Sequence, residues 1–190
     1  MPLAYIGTRG SLDMPSYLAD FEADYLRLGP SSFLKTYPWP VLAVTGFAGD
    51  LGDNTSKSGT MVATIGSAMV QSTSLEGRVF PVVKGRNSAP GPVSIGRTSD
   101  NDLAIPEYTV STHHCLLAQV DGECRLTDMG ATNGTLVDGV RLMPRKPCRL
   151  KGGEIVCMGR LNLLFHLPGG FAEYLRQRTG PKAANGPASK

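Results

Sequence analysis

The chain has 190 residues, 41% of them hydrophobic, which is enough to bury a sizeable core and argues against disorder along its whole length. A formal charge of +3, spread evenly, supplies neither the basic surface of a nucleic-acid binder nor a membrane arm. The longest apolar stretches, such as Leu161 to Leu167, fall far short of the roughly 20 residues a membrane span needs, so no membrane insertion is expected.

The opening MPLAYIGTRGSLD has no charged start followed by a long apolar run, so no secretory signal is read and a cytoplasmic location is expected. Met14, Leu18, Phe21, Tyr25 and Leu28 step by four and three, which predicts a helix over 13–28 ended by Gly29-Pro30. The proline-broken, aromatic text of 31–40 (SSFLKTYPWP) reads as an extended segment lying on a surface, and Val41 to Val44 as a short strand. GFAGDLGDNTSKSGT then reads as a flexible glycine-rich linker. Residues 1–76 are therefore expected to form an N-terminal extension.

Past Arg78 the chain turns to short strand-like runs cut by turn signals every eight to twelve residues, the pattern of an antiparallel all-β sandwich. RVFPVVK and VSIG are followed by CLLAQV, joined through Asp121-Gly122 to ECRLTD. TLV meets VRL across Asp138-Gly139, a two-residue hairpin whose positions tolerate positive φ. Gly152-Gly153 separates CRLK from EIVCMG, read as antiparallel neighbours, and RLNLLFHL closes the domain, set at 77–167. In 168–190, FAEYLRQR is expected to be a short helix with Phe171, Tyr174 and Leu175 on one face, and PKAANGPASK a disordered tail. The four cysteines show no CxxC spacing and mostly fall in candidate strands, which suits buried free thiols better than disulfides or zinc.

Three short islands carry the chemistry: Arg97, Ser111 with His114, and Thr132-Asn133-Gly134-Thr135, each in a loop between candidate strands. A guanidinium, hydroxyls and an amide on neighbouring loops make a donor-rich rim for an anion. A phosphothreonine, with about −1.5 to −2 charges and three acceptor oxygens, needs one cation and several neutral donors. Arg97 offers a planar fork that a lysine cannot imitate. This is the equipment of a binding module.

The ordered set resembles the forkhead-associated (FHA) domain, the phosphothreonine-binding sandwich. Its landmarks are Gly96-Arg97, Asp102, Ser111 to His114, Asn133-Gly134-Thr135, Asp138-Gly139, and the run from Leu150 to Gly159, covering about 77–167. The resemblance implies that Arg97, Ser111, Thr112 and Thr132 touch the phosphate and that Asn133 hydrogen-bonds the peptide backbone. It implies that His114 buttresses the loops, with Gly96 and Gly134 shaping them. Ala131 stands where the family commonly has serine, which predicts one hydrogen bond fewer. The implied partners are threonine-phosphorylated proteins and, indirectly, a Ser/Thr kinase; neither cofactor nor metal is implied.

Other readings are weaker. Arg97 could simply pair with Asp100 or Asp102. Ser111, His114 and Asp128 could suggest a hydrolase, yet VSTHH lacks the glycines of a nucleophile elbow. His113, expected as an exposed strand residue, would make a poor metal site with His114 and Cys115, since successive strand residues face opposite ways. The loop Gly52 to Ser58 faintly resembles a Walker phosphate loop, but Ser56 replaces the needed glycine and Asp50 and Asp53 would repel nucleotide. The remaining alternative is an FHA-fold scaffold that binds an unphosphorylated partner.

Overall fold

The computed structural model describes residues 16–48, 75–85 and 88–180. The start of the predicted first helix, most of the glycine-rich linker with its Walker-like loop, and the predicted disordered tail lie outside the described residues.

Helix α1 spans Leu18–Leu28 and buries Phe21 and Tyr25, one turn apart. Gly29, at φ 73°, turns the chain while its N–H caps the Tyr25 carbonyl. Pro30 then occupies the first position of a second helix, α2, Pro30–Thr36, where a missing N–H costs nothing. The extended segment predicted over 31–40 is thus corrected in its first half. Pro30, just before it, starts a helix, Phe33 is the buried side chain, and Pro38 stops it, with Tyr37 pushed out of the helical region.

Among the described residues eleven strands follow. They are β1 (Val41–Phe47), β2 (Val79–Pro81), β3 (Val93–Gly96), β4 (Leu103–Ala104), β5 (Cys115–Val120), β6 (Glu123–Asp128), β7 (Thr135–Val137), β8 (Val140–Arg141), β9 (Cys148–Leu150), β10 (Ile155–Met158) and β11 (Leu161–His166). Helix α3, Pro168–Thr179, closes the described chain. One sheet runs β2-β1-β11-β10-β7-β8 and the other β4-β3-β5-β6-β9. All pairings are antiparallel except β3 with β4.

Both Asp-Gly turns form as read: Asp121 and Gly122 have φ 52° and 77°, Asp138 and Gly139 49° and 79°. The Gly152-Gly153 pair behaves otherwise. With φ of 97° and 101° it carries the chain from β9 in one sheet to β10 in the other, so CRLK and EIVCMG are not neighbours. The Glu154 carboxylate holds this crossing by accepting the Lys151 and Gly152 N–H groups at 2.6 and 2.8 Å.

The sheets enclose one core, with Leu42, Ile95, Leu117, Leu126, Val156, Leu163 and Phe165 buried between them. A second core lies on the other side of β1 and β2, where Val41, Ala43 and Val79 meet Phe21, Phe33, Phe171 and Leu175 of the helices. The alternation of β1 is what feeds both cores. "All-β" is therefore too simple: the described residues form a β-sandwich of mixed sheets with three short helices layered on one of them. The expected division after residue 76 also leaves β1 on the extension side, yet β1 is hydrogen-bonded between β2 and β11. No helix among the described residues is long and apolar enough to cross a membrane. All four cysteines are free thiols, and burial pushes the Cys115 thiol up to about 12.

Candidate functional site

The loops β3–β4, β4–β5 and β6–β7 meet at one end of the sandwich around an open pocket of about 370 Å³. It is lined by Arg97, the stretch from Tyr108 to His113, Gly130, Thr132 and Asn133. The five residues expected to contact a ligand, Arg97, Ser111, Thr112, Thr132 and Asn133, all stand on its wall. Gly96, His114 and Gly134 lie behind it.

Hydrogen bonds between the loops hold this wall. The Arg97 N–H donates to the Ser111 carbonyl at 2.9 Å, fixing the root of the guanidinium beside the serine. The Thr132 N–H donates to Ser111 Oγ at 3.0 Å, and the two hydroxyls lie 3.5 Å apart. Asn133 Nδ2 donates to the Thr109 carbonyl at 2.8 Å, tying the third island to the β4–β5 loop that carries the second. Gly96 runs so close to Thr112 that a β-carbon there would stand 2.8 Å from the Thr112 carbonyl carbon.

His114 acts within the wall. The Ser111 N–H donates to its Nδ1 at 3.0 Å, which puts the ring proton on Nε2, and Nε2 reaches the Gly134 carbonyl at 3.3 Å. Burial lowers its pKa and outweighs the nearby Asp128 charge, so the ring is neutral. The imidazole meets the backbone of Ser111 and not its hydroxyl, so the nucleophile–base contact of a Ser-His hydrolase is not formed. His113 lies on a bend and not in a strand, exposed and facing Asp100 at 3.4 Å.

His114, Cys115 and Asp128 also converge, their ligand atoms all within 4.8 Å of one another. The opposite-face argument fails here because His114 precedes β5 instead of lying in it. Their polar atoms are engaged locally. Asp128 accepts the Gly130 and Ala131 N–H groups at 2.7 and 3.1 Å and the Thr135 hydroxyl, while Cys115 Sγ lies 3.1 Å from that hydroxyl. This buried network fixes both ends of the loop that carries Thr132 and Asn133. Ala131 contributes through its backbone alone.

The electrostatics leave Arg97 available. It is exposed and, among the described residues, makes no salt bridge. Of its two rival acids, Asp100 faces His113, and Asp102 lies with Lys84 at 2.7 Å and the Ser94 and Gly85 N–H groups at 2.8 and 2.9 Å. Burial alone would raise the Asp102 pKa, but the ammonium and these donors hold it well below the usual carboxylate range.

Sequence reasoning missed four participants. Asn101, buried in the acidic loop, donates through Nδ2 to the Thr112 carbonyl at 2.7 Å and the Thr98 carbonyl at 3.0 Å. Tyr108 lines the pocket at 51% exposed, its ring 4.7 Å from the Arg160 guanidinium. Thr109 links Asn133 to Arg160, whose N–H reaches the Thr109 hydroxyl at 3.0 Å. Arg141, on β8, donates to the Asn133 carbonyl at 3.1 Å. Of these only Arg141 had a usable signal, because the Asp138-Gly139 hairpin fixes its register opposite Leu136.

Residues 93–159 match the family model of the FHA domain, from the start of β3 to the residue after β10. Over 76 residues the chain is 40% identical to the ABC transporter ATP-binding/permease protein Rv1747 of Mycobacterium tuberculosis, covering 40% of this chain and 8% of that protein. Over 70 residues it is 33% identical to the oxoglutarate dehydrogenase inhibitor of Corynebacterium diphtheriae, covering 37% of this chain and 47% of that protein. The chain thus spans less than half the length of these curated relatives. Among solved structures, the FHA-2 domain of Rv1747 is 28% identical, with a TM-score of 0.36 over 61% of this chain and 86% of that one.

Proposed function

We propose that the FHA domain carried by residues 93–159 makes this chain a cytoplasmic, non-catalytic adaptor that docks onto threonine-phosphorylated proteins produced by a separate Ser/Thr kinase. In this reading Arg97, Ser111, Thr112 and Thr132 hold the phosphate, and Asn133 meets the peptide backbone beside it. Gly96, His114 and Gly134 keep the loops in place without touching the ligand.

The observation that carries the reading is the placement of Arg97. An exposed guanidinium without an acidic partner among the described residues shares one open pocket with the hydroxyls of Ser111, Thr112 and Thr132 and the amide of Asn133. A cation that the protein leaves uncompensated beside neutral donors suits a dianionic ester better than a neutral or cationic ligand. The neutral, backbone-bound His114 supports a binding role over acyl transfer. The corynebacterial relative is named as an inhibitor of an enzyme, which is in keeping with regulation by binding.

Calorimetry with matched peptides tests the reading. A phosphothreonine peptide should bind and its unphosphorylated form should not. Arg97→Ala should lose about 2 to 5 kcal/mol of binding while leaving the fold intact. Wild-type affinity in that variant would overturn the assignment. Partner capture that survives phosphatase treatment would point instead to a scaffold that ignores phosphate.

A further inference from the structure

Arg141 is a second cation built into the rim. Its guanidinium lies against Gly134, where a β-carbon would stand 2.7 Å from Cζ, so the glycine makes room for it as well as supplying the positive φ of 73°. Nη2 donates to the Asn133 carbonyl at 3.1 Å, which anchors the charge on the turn that lines the pocket. The side chain is exposed and makes no salt bridge among the described residues, whereas Arg125, Arg149 and Arg160 are each paired with a glutamate. The next loop adds exposed Arg145 and Lys146, and the Arg145 N–H is tied to the Asp128 carbonyl at 2.7 Å at the base of the same turn. Toward the β3–β4 loop, by contrast, Asp100 and Asp102 are already paired with His113 and Lys84. Besides Arg97 itself, the cations around the pocket that make no salt bridge among the described residues, Arg141, Arg145 and Lys146, stand on its Asn133 side.

We infer that Arg141 reads a second anionic group of the bound partner, lying beside the phosphothreonine on the Asn133 side. The inference rests on the phosphothreonine reading and goes beyond it by assigning the partner an acidic flank. The anion can be a carboxylate or another phosphate, and both suit an exposed guanidinium whose position is already fixed by a carbonyl. Arg145 and Lys146 add a field of the same sign, which strengthens the preference at low salt.

Fluorescence anisotropy with a walking peptide panel tests this on the full chain. One phosphothreonine is set in an alanine background, and a single aspartate is moved through the positions on either side. In a second arm a further phosphothreonine replaces the aspartate. One flank is expected to favour aspartate by about two- to fivefold over alanine, the range of an exposed ion pair. Arg141→Gln, which keeps a donor for the Asn133 carbonyl, should bring that ratio to one, and Arg141→Glu should invert it in favour of lysine at the same position. The ratio is the readout because a general loss of affinity leaves it unchanged. A gain from the second phosphate alone would identify the anion as phosphate, and a gain from both would show that a carboxylate suffices. Indifference to aspartate at every position with no gain from phosphate, or a preference that persists in Arg141→Gln, would overturn the inference while the alanine-flanked peptide still bound. Failure of every phosphopeptide to bind would instead remove the phosphothreonine reading, and this one with it.

Discussion

The carbonyl carbon of Thr112 lies 2.8 Å from where a β-carbon on Gly96 would stand, with the carbonyl oxygen closer still. Two loops of the rim are thereby packed backbone against backbone, and no side-chain rotation can relieve a methyl group placed between them. Gly96→Ala should destabilise the protein by about 1 to 3 kcal/mol, the cost of overpacking a filled site. It should also weaken phosphopeptide binding, since Arg97 follows directly and Thr112 shares the pocket. Urea unfolding and calorimetry on the same variant check both halves. A variant with wild-type stability and affinity would mean that the loops are not in contact.

Asn101 acts from the opposite direction. Its amide donates to the Thr112 and Thr98 carbonyls, and its Oδ1 lies 3.1 Å from His113 Nδ1, so it braces two residues of the pocket wall without lining the pocket itself. Asn101→Ala removes a buried amide that bridges two carbonyls and should cost about 1 to 3 kcal/mol of stability. Asn101→Asp should behave no better, because a carboxylate would face two carbonyl oxygens. Chemical denaturation of both variants measures this. An aspartate variant as stable as wild type would show that the donor is dispensable.

A fragment limited to residues 77–167 should not fold. It lacks β1, and with it Leu42 from the core between the sheets and the strand that separates β11 from β2. Losing Leu42 alone costs about 2 to 5 kcal/mol, a large part of the roughly 5 to 15 kcal/mol that keeps a domain folded. Restoring β1 without the helices would still leave Val41, Ala43 and Val79 uncovered. Dispersed amide resonances are expected from residues 16–180 and collapsed ones from 77–167. A well-dispersed spectrum from the short fragment would show that β1 is an accessory.

What could be read in the sequence followed how local each signal is. Asp121-Gly122 and Asp138-Gly139 were legible because a two-residue turn with positive φ leaves few residue choices. Arg97, Ser111 and Asn133 were legible as a set because each island is contiguous. The partner of β1 was not, since Val41 pairs with His166 across most of the chain and nothing near either residue announces it. Gly152-Gly153 looks like any hairpin turn, and only the sheet order shows that it changes sheets. Pro30 misled because the same residue that breaks a helix interior favours its first turn. Asn101 stayed hidden because a buried amide and an exposed one read alike in an acidic loop.

Acidification should loosen the protein through its two buried histidines. His114 accepts the Ser111 N–H at Nδ1, so protonation would set a donor against a donor. His166 stacks against Tyr174 at 4.8 Å and Phe171 at 5.7 Å, and its buried Nε2 has no hydrogen-bond partner among the described residues. Burial is the leading cause that lowers both pKa values. A histidine with a depressed folded pKa binds its proton more readily when unfolded. Its contribution is therefore complete above the unfolded value of about 6.5 and is lost as pH falls from there through the folded pKa. Thermal midpoints should hold steady between pH 8 and 7 and drop between about pH 6.5 and 5, before most carboxylates titrate. His166→Phe, which keeps an aromatic ring in the helical layer, should remove part of that drop and leave phosphopeptide affinity at neutral pH unchanged. Midpoints that stay flat down to pH 5 would mean that both rings are already charged or exposed in the folded protein.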